Sequence, residues 1–279
     1  MSVAAPVRAR ASVPAPRAPR VLRAVVRRGL LDNRRAALVW GGPLGVMGAL
    51  VLALYPSIRR AFAGSIQGFP DGLKQAFGIT DFATVEQYLN AEMFSLFLPL
   101  AAAYVAMRCV ASAIAGAEEH GDLDCVLATP LARRTLVAGA FATAAITVAG
   151  VLLVAGALTE AGGLLVGETV AVGRLGAALA GVWALALFFA GVATLAAGLL
   201  HRAATVLGTG AGLLAAMYLV DVLGKLAGGL GWLRAISAFR WYGTPLEDGL
   251  DVPGLVLLVV AAALLAAAGA ACYERRDIA

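Results

Sequence analysis

The sequence predicts an all-α membrane protein with six transmembrane helices, and three observations lead to this prediction. First, 61% of the 279 residues are hydrophobic, 14% are charged, and the mean hydropathy is +0.86. A soluble domain carries roughly 25% charged residues, so this composition is typical of a chain in a bilayer. Second, long runs without a charge recur along the chain. Third, one short loop is the only dense cluster of charge that is enclosed between two of those runs.

Five runs are free of charge, and a sixth is interrupted only by Arg108. Because about 20 apolar residues in a helix cross roughly 30 Å of hydrocarbon, each run is long enough for one span. We therefore expect spans at about 36–54, 93–117, 136–158, 175–200, 203–221 and 253–272. Little more than His201 and Arg202 separates the fourth span from the fifth, so these two helices should be antiparallel neighbours.

The residues before the first span divide into two parts. Residues 1–20 are rich in Pro, Ala and Arg without apolar periodicity, and we expect a disordered cytoplasmic tail. In 21–34, apolar residues recur at helical spacing opposite several arginines. This pattern predicts a basic amphipathic helix on the inner membrane face; the alternative is a cytosolic helix packed on a partner.

Two segments between spans, 55–92 and 222–252, are too long to be simple turns. The first contains Thr84-Val-Glu-Gln87, the pattern of a capping box that begins a helix. The second contains four aromatic residues, namely Trp232, Phe239, Trp241 and Tyr242. Clustered aromatic residues anchor helices at the membrane interface. We therefore expect short outer helices, re-entrant or interfacial, in both segments.

Positive charge predicts the orientation. With the N-terminus in the cytoplasm, the inner side holds fourteen Lys and Arg residues and the outer side seven. The positive-inside rule favours this arrangement, so both termini should be cytoplasmic. The basic charge is thus interpreted as topology and contact with lipid headgroups, and not as nucleic-acid binding.

Charges inside or beside the spans require partners or water. A cation at mid-bilayer costs about 2.5–3.5 kcal/mol on insertion scales. Arg108 therefore either forms a structural ion pair, reaching toward Glu118 and Glu119, or faces a translocation path. At the end of the fifth span, Asp221 and Lys225 are four residues apart, a spacing that favours a local ion pair.

The central loop, 116–135, is amphipathic as well as charged. Leu123, Val126 and Leu127 fall on one helical face, and Thr129 with Pro130 is a typical helix start. We expect a short helix parallel to the membrane through which a soluble partner docks. An ordinary charged connector is the alternative.

Motifs that carry chemistry are absent from the sequence. There is no HExxH, GxSxG or CxxC, and the two histidines lie on separate loops. A metal site or a catalytic triad is therefore not expected, and we predict no catalytic residues. The phosphate-binding sequence G-x4-G-K-[ST] is also missing. Any nucleotide energy must come from another polypeptide.

The loop carries a resemblance to a known family. From Gly116 to Arg134 it reads GAEEHGDLDCVLATPLARR, close to the A-G-E-E-x-G-x-L-x-x-L-L-A-T-P-x-x-R-R pattern of ABC-2 type permeases of bacterial ABC exporters. Weaker matches are YLNAE at 88–92 and WLRAISAF at 232–239. The chain departs from the pattern by one extra alanine before the two glutamates and by Ala238, where the family often has proline. The resemblance extends over nearly everything after residue 20.

This resemblance implies an ABC-2 type transmembrane domain over 21–279, with 21–34 as its elbow helix and the loop as a cytoplasmic coupling helix. Two permeases, identical or paired with a sister, would assemble with two ATP-binding subunits that bind ATP and Mg²⁺. Coupling to the ATPase would involve Glu118, Glu119, Gly121, Asp122, Leu123, Leu127, Thr129, Pro130 and Arg133. The family lies in the bacterial cell (inner) membrane.

The resemblance is greatest to the drug and antibiotic branch of the family. It implies export of a drug, an antibiotic or another amphipathic compound. The alternative function is an ATP-independent channel or secondary carrier, which should show several ionisable groups along a mid-membrane path.

Overall fold

The structure is a computed structural model that describes residues 18–62, 84–119, 133–226 and 231–275. Within these ranges the chain is helical and has no β-strand. Six helices are long and apolar enough to cross a membrane, which confirms the predicted fold class. We number them span 1 to span 6: Ala36–Arg60, Phe97–Glu119, Arg133–Val166, Val172–Leu199, Ala203–Leu226 and Val252–Glu274. The predicted disordered tail was 1–20, but residues 18–20 are helical, as the first turn of the helix Ala18–Asp32. Residues 1–17, 63–83 and 120–132 lie outside the described residues.

Several spans are longer than the apolar runs that predict them. Span 3 has 34 residues, which makes it about 51 Å long at 1.5 Å per residue. Since the hydrocarbon layer is about 30 Å thick, span 3 must tilt or extend beyond it. The helix of span 1 likewise continues to Phe62 without a break, although it includes Pro43 and Pro56.

Spans 2 and 4 form the centre of the bundle. In an 18-residue apolar stretch of each span, the share that is buried inside the chain is about two thirds for span 4 and 61% for span 2. For span 6 the buried share is 17%. Span 1 packs along span 3, and span 6 packs along span 4. The Trp183 indole N–H donates to the Ala145 carbonyl at 3.0 Å and joins span 4 to span 3. Spans 1, 5 and 6 therefore lie at the periphery.

Glycine allows the backbones of spans 4 and 6 to touch. A Cβ at Gly191 would lie 2.7 Å from the carbonyl oxygen of Ala262, and one at Gly198 would lie 2.5 Å from that of Gly269. In hydrocarbon the hydrophobic effect does not drive helices together. Close van der Waals packing of small residues has to stabilise their association instead.

The N-terminal helix, Ala18–Asp32, precedes span 1 and packs beside the beginning of span 3. A Cβ at Gly139 would lie 2.5 Å from the Val25 side chain, and one at Gly29 would lie 2.7 Å from the Thr143 hydroxyl. Asn33 ends the helix, because its side-chain amide donates to the Gly29 carbonyl at 2.9 Å. The amphipathic helix predicted over 21–34 is thus present, with its apolar side against span 3.

Short helices cover the opposite end of the bundle, as the sequence predicts. Thr84 and Gln87 form the predicted capping box, with both hydrogen bonds at 3.3 Å, and begin the helix Val85–Leu89. A π-helical turn, Asn90–Phe94, leads from it toward span 2. Before span 6 come a 3-10 helix, Gly231–Ile236, and a short α-helix, Ala238–Tyr242.

Replacing Gly191 by valine should destabilise the bundle. The new side chain would meet backbone atoms of span 6, which cannot move independently, and overpacking of this kind costs about 1–3 kcal/mol. Thermal unfolding of the purified protein in detergent should show a clearly lower midpoint. Gly176 is the matched control on the same helix, because no atom lies within 4 Å of a Cβ built there. Equal midpoints for the Gly191→Val and Gly176→Val variants would contradict the packing described.

Candidate functional site

Span 2 is bounded at both ends by π-helical turns. Asn90–Phe94 precedes it, and Ser112–Gly116 interrupts it just before the short helical segment Ala117–Glu119. A π-turn widens the helix by one residue and is often found at functional sites. Between the two turns, the α-helix Phe97–Ala111 is mostly buried among the other spans. Span 2 is thus a central helix whose two ends depart from α-helical geometry.

Three of the predicted coupling residues lie in the described part of the chain, at one end of the bundle. Glu118 is half-buried and Glu119 is exposed at the end of span 2. Arg133 begins span 3 and donates to the Tyr273 carbonyl at 3.4 Å, at the end of span 6. The predicted residues Gly121, Asp122, Leu123, Leu127, Thr129 and Pro130 lie outside the described residues.

Spans 3 and 6 are joined beside Arg133 by a second contact. The Arg134 guanidinium lies 2.5 Å from the Glu274 carboxylate, although Arg134 itself is largely exposed. An exposed pair of this type contributes little free energy on its own. Together with the Arg133 hydrogen bond, it places the start of span 3 against the end of span 6.

A cavity of about 470 Å³ lies at this same end. The N-terminal helix, span 2, span 3 and span 5 line it, and its polar side chains are Arg28, Asp32, Asn33, Ser112, Glu119 and Thr143. The Cys109 thiol lies 3.6 Å from the side-chain oxygen of Asn33 and connects span 2 with the turn before span 1. The region beside Glu119 is therefore a cavity between helices, bounded by both acidic and basic groups.

Arg108 lies on an exposed face of span 2. Its stripe includes Phe97, Tyr104 and Ser112, which are also exposed in the single chain. The rings of Tyr104 and Trp40 are in contact, with centroids 5.4 Å apart. Arg108 forms no ion pair with any described residue, so the structural pair with Glu118 or Glu119 is not found among them.

Span 5 contributes a second face made of small residues. Span 5 touches span 2 where a Cβ at Gly210 would lie 2.5 Å from the Met107 sulfur. Gly208 and Gly212 point elsewhere, and no atom lies within 4 Å of a Cβ built at either. The single chain therefore leaves a flat part of span 5 uncovered.

The opposite end is held together by buried polar contacts. Asp221 has a side chain that is 4% exposed, and it accepts from Lys225 at 2.8 Å and from Arg234 at 2.9 Å. The pair with Lys225 confirms a prediction from the sequence. Asn90 donates to the Glu247 carboxylate at 2.7 Å. The sequence does not predict that Arg234 pairs with Asp221 or that Asn90 contacts Glu247, because the residues of each pair are 13 and 157 positions apart.

Tyr242 and Ser237 tie this end to the turn before span 2 and to span 5. Burial raises the pKa of the Tyr242 hydroxyl, which stays protonated and donates to the Phe94 carbonyl at 3.0 Å. The Ser237 hydroxyl donates to the Met217 carbonyl at 2.8 Å and accepts from the Phe239 N–H. Phe239 and Tyr242 are buried, whereas Trp232 is 69% exposed. Half of the predicted aromatic anchor thus packs inside the bundle.

These groups form no evident catalytic arrangement. Across 18–62, 84–119, 133–226 and 231–275, no three His, Cys, Asp or Glu side chains converge as a metal site would require. The charged groups of the described residues lie instead at the two ends of the bundle, with Arg108 between them.

Removing the Asp221 carboxylate should loosen the opposite end. An Asp221→Ala variant leaves Lys225 and Arg234 without their shared partner, and breaking a buried pair costs 3–5 kcal/mol. Because both cations are about one third exposed, we expect a smaller loss, about 2 kcal/mol. Thermal unfolding in detergent measures it. The exposed Asp248, changed to alanine, should stay within about 0.5 kcal/mol of wild type; a loss as large as that of Asp221→Ala would contradict the assignment.

Comparison with known families gives one match that covers most of the chain. Residues 30–274 match the family described as multidrug efflux system permease Rv1217c, C-terminal domain. The matched region contains all six spans but only the last residues of the N-terminal helix. No curated protein matches the chain.

A match over this length agrees with the resemblance seen in the central loop. It also agrees with the six helices that are long and apolar enough to cross a membrane. The protein is a multi-pass transmembrane permease, and it belongs to the multidrug efflux permease family defined by the Rv1217c C-terminal domain.

Proposed function

We propose that the chain is the permease subunit of an ATP-driven ABC exporter. Two permeases, identical or paired with a sister, form the translocation path, and two separate subunits bind ATP and Mg²⁺. The loop 116–130 couples each permease to an ATP-binding subunit. The substrate is a drug, an antibiotic or another amphipathic compound. The observation that carries this proposal is that Glu118 and Glu119 lie on the same helix as Arg108.

This continuity supports a mechanical role for span 2. Glu119 is eleven residues from Arg108, a separation of about 16 Å along a helix. A displacement of the loop by a bound ATPase would be transmitted along span 2 to the exposed stripe. The π-turn Ser112–Gly116 lies between the two, and its irregular hydrogen bonding offers a place where the helix can bend.

The two ends of the loop lead into different parts of the bundle. The loop enters from span 2 through the π-turn, but it leaves into span 3, whose first residues contact the end of span 6. A push on the loop would therefore move span 2 relative to spans 3 and 6. This difference supports coupling through span 2 in particular.

The path itself is proposed to lie between two permeases. A charged Arg108 facing lipid would cost about 2.5–3.5 kcal/mol, and no described residue neutralises it. A second permease facing the same stripe would replace lipid by an aqueous path and remove that cost. Tyr104 and Phe97 would then supply aromatic surface beside the cation, a combination suited to amphipathic solutes.

The proposed orientation places the Glu119 end and both termini in the cytoplasm. It rests on the excess of Lys and Arg in the segments predicted for the inner side of the membrane. An ATP-binding subunit in the cytoplasm would then meet the loop directly. The short helices around Tyr242 and Asp221 would face outward.

Charge reversal at Glu118 and Glu119 should abolish ATPase binding. Tagged wild-type protein, purified in mild detergent from its native cells, should retain a subunit with a phosphate-binding loop. The Glu118→Arg/Glu119→Arg variant should insert normally but lose that subunit and export nothing, because the surface, now basic, would repel the partner that the two glutamates attract. Asp248→Arg, at the opposite end, is the control and should behave as wild type. Solute flux through purified wild type without any ATPase would favour the channel or carrier instead.

Replacing Arg108 by glutamine distinguishes a path residue from a structural one. If Arg108 lies in the path, the variant loses a charge-assisted contact with the solute, and export should fall roughly tenfold or more. The variant should still retain the ATPase, and its unfolding midpoint should be no lower than that of wild type. Export by cells and thermal unfolding of the purified protein measure the two effects. Arg174→Gln, which removes the pair with Glu86 at 3.6 Å, should leave export near wild type. A lower midpoint with export reduced only in proportion to folded protein would contradict a path role.

A further inference from the structure

A groove runs between the N-terminal helix and span 3, on the outer surface of the bundle. It has a volume of about 460 Å³, and its walls are almost entirely apolar. The N-terminal helix contributes Leu22, Arg23, Val26, Arg27, Leu30 and Leu31, and span 3 contributes Ala142 and Ile146. This groove is separate from the cavity beside Glu119, which lies on another side of the same helix.

The groove is built into the packing of the two helices. Val25 against Gly139 and Gly29 against Thr143 hold the N-terminal helix close to span 3 along at least one turn. The Thr143 hydroxyl donates to the Gly139 carbonyl at 2.8 Å, so it needs no hydrogen-bond acceptor from the N-terminal helix. Because these contacts fix the walls, the groove is a stable feature of the surface.

Its charge pattern is one-sided. Arg23 and Arg27 lie one helical turn apart at the rim, both are exposed, and neither forms an ion pair with a described residue. Six arginines and one aspartate lie between residues 18 and 35. The rim thus attracts an anion, while the floor offers only apolar contacts.

The surroundings indicate what fills the groove. Its floor belongs to a membrane span, where Ile146 is 49% exposed, and Leu31 on the facing helix is 55% exposed. Such a surface is stable only against hydrocarbon or another apolar group. A free anion would leave this floor uncovered. A phospholipid acyl chain beside a phosphate satisfies the apolar floor and the arginine rim together.

We propose that the groove binds one anionic phospholipid. An acyl chain lies against Leu22, Val26 and Ile146, and the phosphate lies between Arg23 and Arg27. An anionic headgroup is favoured over a zwitterionic one because each added arginine near the bilayer surface strengthens attraction to net negative lipid. The bound lipid holds the N-terminal helix in place beside span 3. This inference requires a membrane protein but does not depend on ATP coupling.

The test uses the full-length protein in detergent, freed of lipid, with phosphatidylglycerol or phosphatidylcholine added back. Native mass spectrometry counts the bound lipid. Wild type should retain one phosphatidylglycerol in preference to phosphatidylcholine. The Arg23→Gln/Arg27→Gln variant should bind phosphatidylglycerol roughly tenfold or more weakly, given the attraction lost with two arginines. Arg20→Gln/Arg34→Gln removes equal charge outside the groove and should bind as wild type.

A second variant keeps the arginines and fills the groove. Ala142→Phe should also weaken phosphatidylglycerol binding, because its ring would occupy the place of the acyl chain. Equal weakening by both double arginine variants would overturn the proposal in favour of general surface attraction. Unchanged binding in the Ala142→Phe variant, or displacement of the lipid by inorganic phosphate alone, would overturn it as well. Thermal unfolding of each variant confirms that it is folded.

Discussion

Close contact between helix backbones is the interaction on which this structure depends. In a bilayer the surroundings of a helix are as apolar as its side chains, so helices associate through packing and polar contacts. Gly191 and Gly198 bring span 4 against span 6, and Gly41 brings span 1 to the carbonyl of Val151 in span 3. These two pairs form the frame. Span 2 is held within it chiefly by buried side chains, and both its ends are irregular.

The polar groups are arranged around that frame according to their cost in hydrocarbon. At one end, Asp221 is satisfied by two cations, and Tyr242 and Asn90 are satisfied by hydrogen bonds. At the other end, charged residues border a cavity and lie close to the loop. Near the middle of span 2, Arg108 has no ion-pair partner among the described residues of a single chain. It therefore indicates where a second surface is needed, and the proposed pairing of permeases supplies one.

Much of the fold could be predicted from the sequence because hydrocarbon imposes a simple rule on length and polarity. The capping box at Thr84 and the pair Asp221–Lys225 are local patterns, and both were found as expected. The length of span 3 could not be predicted, because a helix can continue past the apolar run that identifies it. The π-turns carry no residue signature, and contacts such as Asn90–Glu247 depend on a tertiary arrangement that spacing does not reveal.

The candidate site was predictable to a smaller extent. The pattern around Glu118 and Glu119 predicts a coupling loop, but most of its residues lie outside the described part of the chain, so this assignment stays a prediction. For Arg108, hydropathy alone could not decide between a structural pair and an exposed face, because both place a cation in the same run. The groove beside Arg23 was not predicted either, because it requires the N-terminal helix to pack on span 3.

In the proposed mechanism, span 2 transmits a displacement from the loop to the face that carries Arg108. The most direct measurement is the distance between spin labels at position 112 of two permeases, in a variant that lacks the native cysteines and is assembled with its ATP-binding subunits. Pulsed electron paramagnetic resonance would compare distance distributions with and without ATP. We expect a distribution that shifts on ATP binding, and a shift that disappears when Glu118 and Glu119 are reversed in charge. Identical distributions with and without ATP in an exporting complex would contradict it.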